Sequence, residues 1–331
     1  MRSTAVLCHS GRMTRCAITL LLLGPALAGE PQPRATLQAH NSVVSIAFSP
    51  DGELLASAGE DGTVKLWHLA TGKLQATCKG HGGQVVSVAF APDGRMLASA
   101  GYDGTVRLWE VETGNARALL EGHKGLVMPV AFAPDGKMLA SGSDDATIKL
   151  WDVSTGKETA TLKGHTNLVR AVTFSPDGKL LASTGYDGTV RLWDMTTGKE
   201  KYEFSATGGA GFSVAFQPGK KLLAVGCSSG DVLLWDTDLG RARGAIPAHT
   251  GSVFAVAFSP DGRMLATGGL DKLAKVWELS SRKQRRTFPG HTGFVLSVAF
   301  SGEGTLLASG GYMGDGTVRT WDVLPAAAKD R

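Results

Sequence analysis

The chain has 331 residues, 44 of them Gly, and a formal charge of +4. Three of its 34 bases, Arg2, Arg12 and Arg15, lie in an N-terminal stretch of different character, so the remainder is close to neutral. That balance supplies no basic field to steer the chain to nucleic acid or an anionic membrane, and the many Gly suit tight turns rather than long helices.

Residues 1–15 carry those three Arg and no acid, and Cys16 to Ala28 (CAITLLLLGPALA) is an apolar run of 13. Ala26-Leu27-Ala28 is a small-x-small site, followed by Gly29 and Glu30. This layout predicts a secretory signal peptide over 1–28, cleaved after Ala28, and a secreted or periplasmic mature chain. The run is shorter than the roughly 17–25 residues of a membrane-spanning helix, so no span is expected in the mature chain. The competing readings are an uncleaved anchor, which leaves the protein on a membrane, and a transit peptide or spurious extension, which leaves it in an organelle or the cytoplasm. Met13 is a second candidate start. Residues 29–33 read as a short linker, 34–323 as the folded body and 324–331 as a C-terminal tail.

Four Cys are present. Cys8 and Cys16 leave with the signal peptide. Cys78 and Cys227 fall in distant repeats, where disulfide geometry is not expected, and read as buried thiols.

From about residue 35 one pattern recurs. Trp67, Trp109, Trp151, Trp193, Trp235 and Trp277 are spaced by 42 residues, and Trp321 follows after 44. The fourth copy, GHTNLVRAVTFSPDGKLLASTGYDGTVRLWD, shows the elements most plainly. Leu168–Phe174 is an apolar run with an alternating tail, and Ser175-Pro176-Asp177-Gly178 is a turn. Lys179–Ser183 is a second strand, Tyr186-Asp187-Gly188 a tight turn and Thr189–Trp193 a third strand. Thr197-Gly198 turns again into Lys199–Phe204. Four short strands per 42 residues predict antiparallel meanders. One such sheet cannot bury both faces alone, so the copies are expected to stack radially. The fold class is all-β, a seven-bladed β-propeller of four-stranded antiparallel blades.

The motifs resemble the WD-repeat (WD40) family. Gly-His opens repeats at Gly80-His81, Gly122-His123, Gly164-His165 and Gly290-His291, and weakens to Ala39-His40 and Ala248-His249. Trp-Asp closes them at Trp151-Asp152, Trp193-Asp194, Trp235-Asp236 and Trp321-Asp322. The resemblance covers 35–323. It implies that the segment Arg34–Gln38 supplies the fourth strand of the last blade and closes the ring.

Six repeats carry a His and an Asp 21 to 24 residues apart, beginning with His40/Asp61, together with a hydroxyl residue. The sets, each with its Trp, include His81, Ser99, Asp103 and Trp109; His123, Ser141, Asp145 and Trp151; His165, Ser183, Asp187 and Trp193; His249, Thr267, Asp271 and Trp277; and His291, Ser309, Asp315 and Trp321. Ser, His and Asp together invite a catalytic-triad reading. Their recurrence once per repeat argues against it, since an active site occurs once. The resemblance implies a structural hydrogen-bond network instead. The fifth repeat has Thr207, Val225 and Ser229 at the three polar positions and keeps only Trp235. Histidines about 42 residues apart are not metal-ligand spacing, so no metal or cofactor is expected.

Function is sought where copies differ. By resemblance, two positions per blade face the narrow end and the central channel. One reads Val44, Val86, Met128, Arg170, Phe212, Phe254 and Leu296. The other, the residue before the tight-turn Asp, reads Glu60, Tyr102, Asp144, Tyr186, Ser228, Leu270 and Gly314, with Tyr312 beside the longer last loop. A third set adds Leu126, Leu168 and Phe294. This apolar, aromatic rim with one Arg predicts a surface for a protein or peptide partner, on a protein expected to be a monomer. The alternative is a propeller enzyme of hydrolase or lactonase type at the channel, and some of these side chains are equally suited to plugging that channel.

Overall fold

The computed structural model describes residues 31–206 and 208–323. The predicted signal peptide, the tail and Thr207 lie outside the described residues. Those residues form seven four-stranded antiparallel sheets and no helix. Blades one to six run over Val43–Lys79, Val85–Leu120, Val127–Lys163, Val169–Ser205, Gly211–Pro247 and Val253–Phe288. Blade seven takes three strands from Val295–Asp322 and its outer strand from Ala35–Gln38.

Local chemistry sets each blade. In blade four the turn after the first strand is closed by Asp177, whose Oδ1 accepts from the Lys179 amide (3.1 Å) and the Ser175 hydroxyl (2.6 Å). Gly178 takes φ +69°, a conformation that strains other residues. Every first strand carries a bulge near its start, as between Val169 and Ala171. Such bulges raise twist, which suits sheets packed around a common axis.

The core lies between blades. Leu181, Trp193 and Val172 of blade four pack on Ile148, Leu150 and Leu162 of blade three, all at most 7% exposed. Burying one such side chain stabilises by roughly 1.5–3 kcal/mol, and the same layer repeats at each interface.

The ring closes as the resemblance implied. Ala35 pairs with Thr320 and Gln38 with Thr317, and the Ala39 amide donates to Gly316 O at 3.0 Å. Leu37, 8% exposed, packs with Leu55, Trp67 and Val318. At the channel a second joint appears. Hydroxyls of Ser45, Ser87, Ser213 and Ser297 accept from the amides of Val88, Val130, Val256 and Ile46 on the next blade, at 3.1–3.2 Å. Pro129, Ala171 and Ala255 hold the corresponding positions on the other three blades, with no hydroxyl to offer.

Candidate functional site

The repeated Ser, His and Asp meet in space. In blade four His165 Nδ1 lies 2.8 Å from Asp187 and Nε2 lies 2.8 Å from Ser183 Oγ. Trp193 Nε1 donates to that hydroxyl at 2.9 Å. An indole N–H only donates, so the hydroxyl accepts it and gives its own proton to Nε2. The ring is then the neutral Nδ1–H tautomer, donating to the carboxylate. The sets built on His40, His81, His123, His249 and His291 repeat this geometry, with His–Asp contacts of 2.7–3.0 Å and His–hydroxyl contacts of 2.7–2.9 Å.

These groups are sealed. The His side chains are 0–1% exposed. Burial holds His40, His81, His123 and His165 below the usual imidazole range, although the paired aspartates pull the other way. Burial pushes Asp145 and Asp271 up, yet hydrogen bonds outweigh it and hold both carboxyls at about 2. For Asp145 the bonds come first from Thr147, and for Asp271 first from His249. The Ser hydroxyl in five sets, and that of Thr267 in the sixth, is saturated by Trp and His and has no free path to a substrate. Cys78 and Cys227 are likewise inert, their thiols pushed up by burial to about 12 and about 11.

In every blade but the fifth, where Leu233 stands instead, a base lies two residues before the Trp. Lys149 meets Glu158 (2.6 Å), Arg191 meets Glu200 and Glu203, and Lys275 meets Asp271 (3.0 Å). Where Ala39 and Ala248 replace the opening Gly, the base is Lys65 or Lys275, and its amine reaches the Ala carbonyl.

Blade five departs from the pattern as its sequence indicates, having kept only the Trp. Trp235 Nε1 is buried with no partner. Its ring stacks on Phe204 of blade four at 3.7 Å and 5°. The His ring's space is closed as well. In five blades a Gly sits where a Cβ would strike that ring, as at Gly185 and His165. Blade five has no His, and the fully buried Cys227 stands at that position.

The face bearing the His–Asp turns surrounds the channel mouth. A cavity of about 170 Å³ is lined there by Val44, Val86, Met128, Arg170, Phe212, Phe254 and Leu296, among others. The two halves differ. Val44, Val86 and Met128 are 7–8% exposed and form one cluster, packed by Leu168, Leu296 and Tyr312. Val86 and Met128 therefore fill the mouth and leave little surface for a partner. From blade four onward aromatic rings follow one another in contact, the first pair T-shaped and the next two tilted. Tyr186 meets Phe212 at 5.7 Å, Phe212 meets Phe254 at 5.4 Å and Phe254 meets Phe294 at 6.0 Å. Tyr102 and Tyr186 are exposed, at 42% and 46%. Leu126, Leu168, Leu270, Phe294 and Leu296 are half-buried, and Asp144 is exposed.

One assignment needs correction. Gly314 does not stand where Tyr102 and Tyr186 stand. The amides of Tyr102, Tyr186 and Tyr312 donate to Gln84 O, Leu168 O and Phe294 O at 2.8–2.9 Å, so Tyr312 is the equivalent residue. The two extra residues, Met313 and Gly314, follow it. Met313 sits at φ +54° and is 64% exposed. Burial, then the Glu60 carboxylate, push the Tyr312 hydroxyl up.

Seven blades, each built on the same Trp position and six tied by Trp, hydroxyl, His and Asp, define a WD-repeat propeller. The chain belongs to the WD domain, G-beta repeat family, matched at 31–68, 72–110, 114–152, 156–194, 199–236, 240–278 and 282–322. Among curated relatives, a stretch of 41 residues is 58% identical to small ribosomal subunit protein RACK1z of Arabidopsis thaliana, covering 12% of each chain. A stretch of 55 residues is 49% identical to nuclear distribution protein PAC1 of Cryptococcus neoformans, covering 16% of this chain and 12% of that one. A stretch of 40 residues is 55% identical to an uncharacterized WD repeat-containing protein of Nostoc, covering 12% and 3%. The matches thus span only 3–12% of these relatives' own lengths.

Proposed function

We propose that this propeller is a non-catalytic scaffold that binds a protein or peptide at the channel mouth. The observation that carries this reading is the arc Tyr186–Phe212–Phe254–Phe294, four half-buried or exposed aromatic rings in mutual contact across four blades. Contiguous aromatic surface of this kind is where binding energy concentrates. Membership of a WD-repeat family favours a protein partner. The triad-like sets support the same reading, because each serine is consumed by a Trp and a His. Among the described residues no three His, Cys, Asp or Glu side chains group as metal ligands, and no helix is long and apolar enough to cross a membrane.

The test pairs Phe254→Ala with His165→Ala. Phe254→Ala is expected to lose a captured partner at unchanged Tm, while His165→Ala lowers Tm. Hydrolase activity abolished by Asp144→Ala would overturn the scaffold reading. We also infer that the chain is exported, on the strength of the layout of 1–28. N-terminal sequencing of the purified protein should begin at Gly29.

A further inference from the structure

The arc's ligand can be named more closely, on the footing that the channel mouth is the docking surface. The cavity of about 170 Å³ is smaller than the roughly 300–1,000 Å³ of sites for separate small molecules. It accepts one side chain of something larger. Its aliphatic half is closed by Val44, Val86 and Met128, so the incoming group meets Arg170, Phe212 and Phe254.

Arg170 is the unusual member. It is half-buried among apolar side chains. Arg191, on the same blade, is held by Glu200 and Glu203. Arg170 makes no ion pair among the described residues. The turn aspartates Asp61, Asp103, Asp145, Asp187, Asp271 and Asp315 are each engaged by a His, and neither they nor Glu60 and Asp144 form an ion pair with Arg170 among the described residues. A partly desolvated guanidinium without a counter-charge favours an incoming carboxylate, which it holds by paired, charge-assisted hydrogen bonds.

We propose that the mouth recognises a peptide segment in which an acidic side chain pairs with Arg170 and a neighbouring bulky apolar side chain packs onto the adjoining rings of Phe212 and Phe254. In an extended segment, alternate side chains point the same way about 6.6–6.8 Å apart. Arg170, Phe212 and Phe254 hold equivalent positions on three successive blades around the mouth, so side chains on the same side of such a segment meet neighbouring blades. An acid two residues from a Phe, Leu, Ile or Met therefore fits.

The test is selection of a random peptide library, displayed without free C-termini, on the immobilised full chain. Binding is then measured for wild type, Arg170→Gln, Arg170→Lys and Phe254→Ala, each checked for unchanged Tm. Enriched peptides should share the acid and apolar pair. Arg170→Gln should weaken them at least tenfold, Arg170→Lys less, and added salt should weaken wild type more than Arg170→Gln. Peptides lost on Phe254→Ala but indifferent to Arg170→Gln and to salt would overturn the carboxylate assignment and leave the docking surface standing. No enrichment, or peptides indifferent to both positions, would overturn both.

Discussion

His165 sits between an acceptor and a donor, and each of its neighbours depends on it. Removing the ring strands Asp187, takes the Ser183 hydroxyl's acceptor and opens a cavity beside Trp193. Stranded buried polar groups cost about 1–3 kcal/mol each, and a cavity adds to that. His165→Ala should therefore destabilise by roughly 2–4 kcal/mol, read by chemical denaturation. The same residues set the acid response. His40, His81, His123 and His165 have lowered folded-state pKa values. As pH falls below about 6.5 the unfolded chain takes up protons first, so the stability these groups hold is full above that value and drains away below it. The aspartates add a second loss below about 3.8, with Asp145 and Asp271 titrating at about 2 when folded. Tm is expected to fall steadily from about pH 7 to 5, and a flat profile there would contradict the neutral-imidazole assignment. Blade five offers the converse experiment. Trp235 Nε1 lacks an acceptor, and Val225 occupies the position where blade six has Thr267, which Trp277 reaches at 2.9 Å. Val225→Thr keeps the shape and supplies an oxygen, and should stabilise by roughly 0.5–1.5 kcal/mol. No change in Tm would mean the indole is satisfied in another way.

At the scale of the strand and blade, the serine latches differ between interfaces. Ser87 Oγ joins blade two to the Val130 amide of blade three, whereas Ala171 leaves the joint between blades four and five without one. Ala171→Ser should add a bond and Ser87→Ala should remove one, each worth about 0.5–1.5 kcal/mol in opposite directions. Equal and opposite Tm shifts would confirm the pairing; no shift on Ser87→Ala would show that channel water replaces it. This is also the scale at which the sequence was most legible. A single residue type on a 42-residue grid announces the blade count, because each blade must present the same surface to its neighbours. The turns were legible because Asp177-Gly178 states its own backbone geometry. Contacts between blades were not. Phe204 stacking on Trp235 joins residues whose repeat positions say nothing about each other. The Tyr312 equivalence was missed because counting back from Asp315 cannot tell on which side of Tyr312 the two extra residues enter. Only the hydrogen bond to Phe294 O decides it. The candidate rim was found as a set of varying positions, but which of them are buried plugs and which form the aromatic arc depends on packing that no repeat comparison reveals.

For the whole molecule, one seam carries a burden the other joints do not. Every other outer strand follows its blade in the chain, whereas Ala35–Gln38 pairs with Thr317–Asp322 from the opposite end of the chain. That pairing closes a loop of nearly the whole propeller, which is entropically unfavourable, and it covers an edge that would otherwise present free backbone groups. Leu37 anchors it within the cluster of Leu55, Trp67 and Val318. Deleting everything before Ala39 should therefore do more than remove one strand's bonds. It should lower Tm, broaden the transition as blades one and seven loosen ahead of the rest, and promote self-association through the bared Thr317–Asp322 edge. Calorimetry and size-exclusion chromatography read these three effects separately. A synthetic peptide of residues 31–38, added in excess, should bind the truncated protein and recover part of the lost Tm in a concentration-dependent way. A truncated chain that stays monomeric and melts like the full one would show that the remaining contacts between blades seven and one, such as the Ser297–Ile46 latch, suffice and that the outer strand of blade seven is dispensable.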